Sequence, residues 1–167
     1  CAQVFDFEAD TTKGCAPLKA TYINTTPDSI KNNYSYEWIV EAGKFSTQTD
    51  SVQNTYLMPG RYTATMKVYD VSKKLVSTVT KKDYITVYND PDVTITSDKS
   101  STCEDKEFNF SIVSLTADTT ISSYSWILSD GTIYQSETPP AHIFGFAEDF
   151  TVFLSVIDDH GCTNRER

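Results

Sequence analysis

The chain has 167 residues with 14 Lys and Arg against 23 Asp and Glu, a formal net charge of −9. So acidic a chain offers no basic stripe for a phosphate backbone or an anionic bilayer, which excludes nucleic acid as a partner class. Apolar residues never run on for the roughly 20 positions that a bilayer crossing needs, so no membrane span is expected. The first residues show no basic-plus-apolar leader, so any export signal is expected to have been removed already. Aromatics reach 13%, and Thr, Ser, Val and Ile outnumber Ala and Leu, a balance that favours pleated sheet.

Taken in order, the chain alternates with period two in short runs. Phe5, Phe7 and Ala9 share one face, then Leu18, Ala20 and Tyr22, then Tyr34, Tyr36, Trp38 and Val40, then Tyr62, Ala64, Met66 and Val68. Such runs read as strands with one face on a core and one in water. Leu75 to Tyr88 is a long polar-alternating stretch in which Ile85 and Val87 stand on the core side of a last strand. The pattern then begins again: Val93 and Ile95; Phe108, Phe110 and Ile112; Tyr124, Trp126 and Leu128; Phe150, Val152, Leu154 and Val156. Turns punctuate the runs at Lys13-Gly14, Thr26-Pro27-Asp28, Pro59-Gly60, Asp130-Gly131, Pro139-Pro140 and His160-Gly161.

The restart has a fixed offset. Trp38 falls on Trp126 (126 − 38 = 88), and the same shift superimposes Tyr36 on Tyr124, Cys15 on Cys103, Gly43 on Gly131 and Asp70 on Asp158. A repeat of this length means two copies of one domain rather than a solenoid. The expected domains are residues 1–89 and 90–167, joined by the short linker Asn89-Asp90-Pro91-Asp92. About seven short strands per copy fit a two-sheet sandwich. Shifting Leu75–Tyr88 by 88 asks for residues 163–176, so the second sandwich is expected to lack most of its last strand. That gap reads as a chain cut from a longer polypeptide or, alternatively, as an edge that another chain completes.

The order of features resembles PKD domains, an immunoglobulin-like sandwich family. Copy one carries Phe7-Glu8-Ala9, Gly14-Cys15-Ala16-Pro17-Leu18, Tyr36-Glu37-Trp38, and Pro59-Gly60-Arg61-Tyr62 leading to Asp70. The family's Phe-Gly-Asp-Gly-like turn after Tyr-x-Trp is altered to Trp38-Ile-Val-Glu-Ala-Gly43 and Trp126-Ile-Leu-Ser-Asp-Gly131. The Gly-Cys-x-Pro opening and the Asp158-Asp-His-Gly-Cys162 ending look like the PKD arrays of large surface proteins in bacteria that use type IX secretion and gliding motility. That resemblance implies an all-β chain of two tandem immunoglobulin-like β-sandwiches. Four Asp-Ser/Thr-aliphatic/Thr segments match the O-glycosylation pattern of such bacteria, making Thr11, Ser29, Ser51 and Thr119 the candidate acceptors.

Export to an oxidising compartment makes bridging the default state of suitably placed cysteines. Cys103 opens the second strand of its copy and Cys162 lies in the turn before the last, positions that an immunoglobulin-like sandwich can bring to one end. A Cys103–Cys162 disulfide is therefore expected, closing a loop of about 60 residues and contributing about 3 to 4 kcal/mol. In copy one the position equivalent to Cys162 is Lys74, which leaves Cys15 with Cys1. Three alternatives stay open there: a lipidated Cys1, a Cys1 bonded to something upstream, or a Cys1–Cys15 bridge if the first strand hooks back.

The remaining chemistry reads as structural. Trp38, Trp126, Tyr62 and Phe150 are expected in the core rather than on a sugar-stacking platform, for which Tyr34, Phe45, Tyr56 and Tyr134 are the better candidates. Asp70, Asp158 and Asp159 read as solvated turn formers rather than calcium ligands, since the compact spacing that supplies six to eight oxygens is missing. His142 falls at the position of Asn54, where the family often has His, and neither it nor His160 belongs to a metal or nucleophile motif. The chain is thus expected to be no enzyme and to need no cofactor or metal. It reads as an extracellular or cell-surface spacer and protein-interaction module of a larger bacterial protein, with a protein partner on the surface or in the secretion and gliding machinery. The alternative is a glycan-binding accessory region of a secreted hydrolase.

Overall fold

The computed structural model describes residues 5–40, 50–100, 106–117, 119–145 and 149–164, and the backbone of 43–47. The chain is all-β and divides into two compact units, Cys1–Tyr88 and Asn89–Arg167.

In the first unit β1 (Phe7–Ala9), β3 (Leu18–Asn24) and β6 (Ser51–Tyr56) form a three-stranded sheet. Facing it is a five-stranded sheet ordered β2 (Lys13–Cys15), β8 (Leu75–Tyr88), β7 (Gly60–Tyr69), β4 (Ser35–Val40), β5 (Gly43–Thr47). The chain changes sheets between β1 and β2, after which β2 runs parallel to the end of β8. Gly14 permits this crossing, because a Cβ there would stand 2.7 Å from Leu18 Cδ1. One turn of helix, α1 (Asp28–Lys31), follows Pro27 and buries nothing, which is why no apolar period announces it.

Period-two alternation sends Tyr36, Trp38 and Val40 of β4 inward, together with Ala64, Met66 and Val68 of β7. Trp38 is fully buried, with the Phe7 ring edge-on at 5.4 Å and Tyr22 at 6.3 Å. Tyr22 and Tyr56 are also fully buried and share a hydroxyl–hydroxyl hydrogen bond, so two phenols enter the core without orphaning either oxygen. Burial together with that bond raises the Tyr22 phenol far above its ordinary range. On β8 the expected core residues Ile85 and Val87 are buried. The register slips from Tyr62↔Ile85 to Ala64↔Lys81, bulging out Lys82–Tyr84, with Asp83 at φ 49°. This bulge swings Tyr84 to 5.9 Å from the Phe7 ring, where its hydroxyl accepts the Ala9 N–H.

The second unit repeats the plan with strands of different length. β9 (Asp92–Ser97) pairs with β11 (Phe110–Thr116), β10 (Glu107–Phe108) with β14 (His142–Ile143), and β12 (Ile121–Leu128) lies between β13 (Ile133–Tyr134) and β15 (Val152–Asp158). Adding 88 to the pair Ala9↔Tyr22 gives Ser97↔Phe110, and to Ala20↔Asn54 gives Phe108↔His142, both of which are observed. β10 and β11 are therefore the counterpart of β3, interrupted at Asn109. Trp126 is fully buried among Phe110, Leu128, Leu154 and Val156, while Phe144 stacks on Phe150 at 3.7 Å.

The turn after β7 recurs bond for bond after β15. Asp70 N–H donates to Lys74 O at 3.0 Å, and its Oδ1 accepts the N–H groups of Ser72 and Lys74; Asp158 does the same with Cys162, His160 and Cys162. Lys73 and Gly161 stand at the same place with φ 60° and 81°. Past this turn the pair Ile157↔Thr163 forms, as Tyr69↔Leu75 does in the first unit. Asn164 then lays its carboxamide against β15, accepting from Val156 N–H at 2.7 Å and donating to Leu154 O at 2.7 Å.

Two outcomes follow for stability. Trp126 Nε1 donates to Ser136 O at 3.0 Å, whereas Trp38 Nε1 meets no acceptor among the described residues. Trp126→Phe should therefore cost about 1 kcal/mol more than Trp38→Phe in urea unfolding, the difference being the lost hydrogen bond. A Cβ on Gly161 meets nothing within 4 Å, so Gly161→Ala should cost about 1 kcal/mol from backbone strain alone; a loss several times larger would mean a steric clash.

Candidate functional site

The polar side chains that the fold gathers act mostly on the main chain. Asp10, just beyond β1, takes the Thr21 N–H on Oδ1 at 2.8 Å, while its own N–H goes to Thr21 O. Asp98 holds Asn109 in the same way and adds the Asn109 side-chain amide at 2.9 Å (10 + 88 = 98; 21 + 88 = 109). The main-chain N–H of Asn109, with its side chain and Lys99, brings the Asp98 carboxyl down to about 2. Asp10 is lowered chiefly by the Thr21 N–H. This clasp, from the end of β1 to β3 and from the end of β9 to Asn109, occurs in both copies and was not expected from the sequence, although the 88-residue offset carries it.

In the second unit Asp130, Tyr134 and His142 form a chain of contacts. The Tyr134 hydroxyl lies 2.9 Å from His142 Nδ1, and His142 Nε2 lies 2.7 Å from Asp130 Oδ2. Asp130 Oδ1 also takes the Thr132 N–H. Burial pushes the Asp130 carboxyl up, but the bonds from Thr132 and His142 outweigh it and the net shift is down. Both imidazole nitrogens are engaged, so the ring clamps the turn between β12 and β13 to β14. In the first unit the equivalent positions hold Ala42, Ser46 and Asn54.

The first unit gathers its charges at two places. Lys31 Nζ lies 2.9 Å from Asp28 and 3.0 Å from Asp50, and these carboxylates, Asp28 foremost, raise its pKa. Lys81 bridges to Asp6 at 3.1 Å, donates to Phe7 O, and sits over the Phe7 and Tyr84 rings at 4.8 and 5.1 Å. Lys81 thereby ties β8 of one sheet to the start of β1 in the other, and Lys31 joins α1 to the residue before β6.

The residues named from sequence are distributed as follows. Cys15 and Cys162 are both disulfide-bonded. Cys103, expected as the partner of Cys162, lies outside the described residues, as does Cys1. Ser29 on α1 and Ser51 at the start of β6 are exposed, with the Asp of both segments held by Lys31; Thr11 and Thr119 are half-buried, and Asp118 lies outside the described residues. Asp70 and Asp158 are turn formers, but Asp158 is buried rather than solvated, because the turn folds Cys162 in beside it. Its Oδ2 has no hydrogen-bond partner among the described residues, the nearest cation-forming atom being His160 Nδ1 at 4.0 Å.

The proposed platform aromatics are otherwise occupied. Tyr56 is buried against Tyr22, Tyr34 packs edge-on to Phe5 at 5.0 Å, Tyr134 is bonded to His142, and the Phe45 side chain lies outside the described residues. Among the described residues the one exposed aromatic is Phe153, in a cross-strand row with Ile127 and Ile133 on the outer face of the second unit.

Residues 88–167 match the family model of the PKD domain. Similar solved structures include the fibronectin(III)-like modules of Clostridium thermocellum CbhA, at 13% identity and a TM-score of 0.40, covering 96% of this chain and 90% of that one. Three N-terminal domains of the highly immunogenic outer capsid protein (Hoc) of bacteriophage RB49 match at 14% identity and a TM-score of 0.43, covering 98% of this chain and 57% of that one.

The Asp98 clasp has a definite pH signature. A carboxyl lowered to about 2 when folded, from an ordinary 3.8, adds stability in full above the ordinary value and loses it as pH falls towards 2. The stability gap between the parent chain and Asp98→Ala should therefore narrow between about pH 5 and about pH 2 in acid-unfolding curves.

Proposed function

We propose that this chain, whose residues 88–167 match a PKD domain, is a noncatalytic extracellular spacer and protein-interaction segment of a larger bacterial surface or secreted protein. The observation that carries this reading is the use to which its reactive side chains are put. Cys15 and Cys162 are disulfide-bonded, a state that persists in oxidising compartments. His142, Asp98, Asp70 and Lys81 all serve turns, clasps and sheet edges rather than a cleft. Bridged β-sandwiches of this kind hold other parts of a protein away from a cell while resisting proteolysis.

Within that reading, the finer role is a surface protein exported by type IX secretion and linked to gliding motility, its partner a protein of the cell surface or of that machinery. Ser29 and Ser51, exposed next to carboxylates that share Lys31, are the better presented of the four O-glycosylation candidates. A glycan-binding role would need a row of exposed rings, and among the described residues the outer row that holds the exposed Phe153 combines it with two Ile.

The test is on intact producing cells. An antibody against this chain should stain them without permeabilisation, and the signal should disappear from the surface when the type IX machinery is disabled; staining only after lysis would sink the reading. Purified chain should also show no retardation in polysaccharide gels, whereas retardation abolished by Phe153→Ala would favour carbohydrate binding instead. Reductant should lower the melting temperature of the purified chain by several degrees.

A further inference from the structure

We infer that the outer edge of β8 in the first unit, Leu75–Lys81, is a strand-addition site for an extended polypeptide segment with an uncharged β-branched centre and acidic flanks. The inference rests on the interaction-module reading and names its partner class.

β8 is paired along one side with β7, from Leu75 to Val87. On its other side β2 reaches only Thr86–Tyr88, so among the described residues no strand lies against Leu75–Lys81. Unpaired main-chain groups on a sheet edge are a ready template for another strand. Proteins usually blunt such an edge with charge or proline. Here Leu75-Val-Ser-Thr-Val-Thr80 has neither, and four of its six residues are β-branched. Leu75 and Val76 remain 48% and 44% exposed at its start. The Lys82–Tyr84 bulge ends the free edge, so an added strand of about six residues, roughly 20 Å, has its length set.

Charge decides the occupant. Lys73, Lys74, Lys81 and Lys82 bracket the uncharged run in a chain of net charge −9. Lys81 is turned inward to Asp6 and the exposed Asp83 stands in the bulge beyond the free edge, while Lys73, Lys74 and Lys82 are exposed. The Asp70 carboxylate at this end is occupied by the N–H groups of Ser72 and Lys74. Pairing two copies of this edge antiparallel would set Lys73 and Lys74 against Lys82 of the other copy, and pairing them parallel would set each lysine beside its own equivalent. A second copy is thus opposed by like charge at both ends, whereas a strand with acidic ends is attracted at both.

The probe is a synthetic peptide, Glu-Glu-Thr-Val-Thr-Val-Thr-Glu-Glu, titrated into the isotopically labelled full chain. Amide resonances of Leu75–Lys81 should shift and exchange more slowly with solvent. Affinity should fall at least tenfold in the Lys74→Glu/Lys82→Glu variant, and a peptide with Lys in place of Glu should bind that variant and not the parent. This charge swap cannot be imitated by misfolding. The inference is overturned if Leu75–Lys81 does not respond, if the swapped peptide fails to restore binding, or if scattering shows the chain dimerising through this edge. Shifts confined to other surfaces, such as the Ile127, Ile133 and Phe153 row, would remove the β8 site and leave the module reading standing. That reading falls separately, by the absence of the chain from intact cell surfaces.

Discussion

Each unit is organised by one side chain that has a single place to go. An indole the size of Trp38 or Trp126 is buried only between two sheets, and once it points inward every second residue of its strand does too. A slip of one residue in β4 would expose Tyr36, Trp38 and Val40 together and bury Glu37 and Ile39, so the register of the central strand is fixed before any turn is considered. The neighbours inherit it: Met66 opposite Trp38 in β7 and Leu154 opposite Trp126 in β15 are buried by the same parity.

Around this core the connections are fixed by carboxylates rather than by apolar contacts. Asp10 and Asp98 secure the exit of the first strand by taking one main-chain N–H each from the segment alongside, and Asp70 and Asp158 secure the return after β7 and β15 by taking two N–H groups of the turn on one oxygen. An acidic chain can bind its own backbone in this way many times over, which gives part of the −9 charge a structural use.

The strand positions, the doubling and the burial of both tryptophans were legible in the sequence because alternation and an exact offset survive substitution. Less was legible where one residue acts alone. Nothing in Lys82-Asp-Tyr84 announces a bulge, since the inward turn of Tyr84 depends on the space beside Phe7. The burial of Asp158, compared with the more open Asp70, depends on Cys162 standing where the first copy has Lys74. Nor could Cys15 be assigned a bridge by counting cysteines copy by copy, because a repeat that has lost one member of a pair gives no local clue to its state. The Tyr134–His142–Asp130 contact combines a histidine and a turn aspartate that each had a family precedent with a tyrosine that had none.

Asn164 meets β15 with one side chain as a neighbouring strand would with its backbone. Its carboxamide is the same chemical group as a peptide bond, and it meets Val156 and Leu154 as a strand's own amide would. A hydrogen-bond ladder is usually extended by whole strands, each ordering several residues, whereas here two rungs are made by freezing one side chain. β15 is thereby shielded along part of its edge at small entropic cost, and this stretch of the second unit is a poorer template for foreign backbone than the β8 edge of the first, against which no strand lies among the described residues. Among the described residues, two copies of one fold, derived from one pattern, thus present their edges differently: one capped in part by an amide, the other open between lysines.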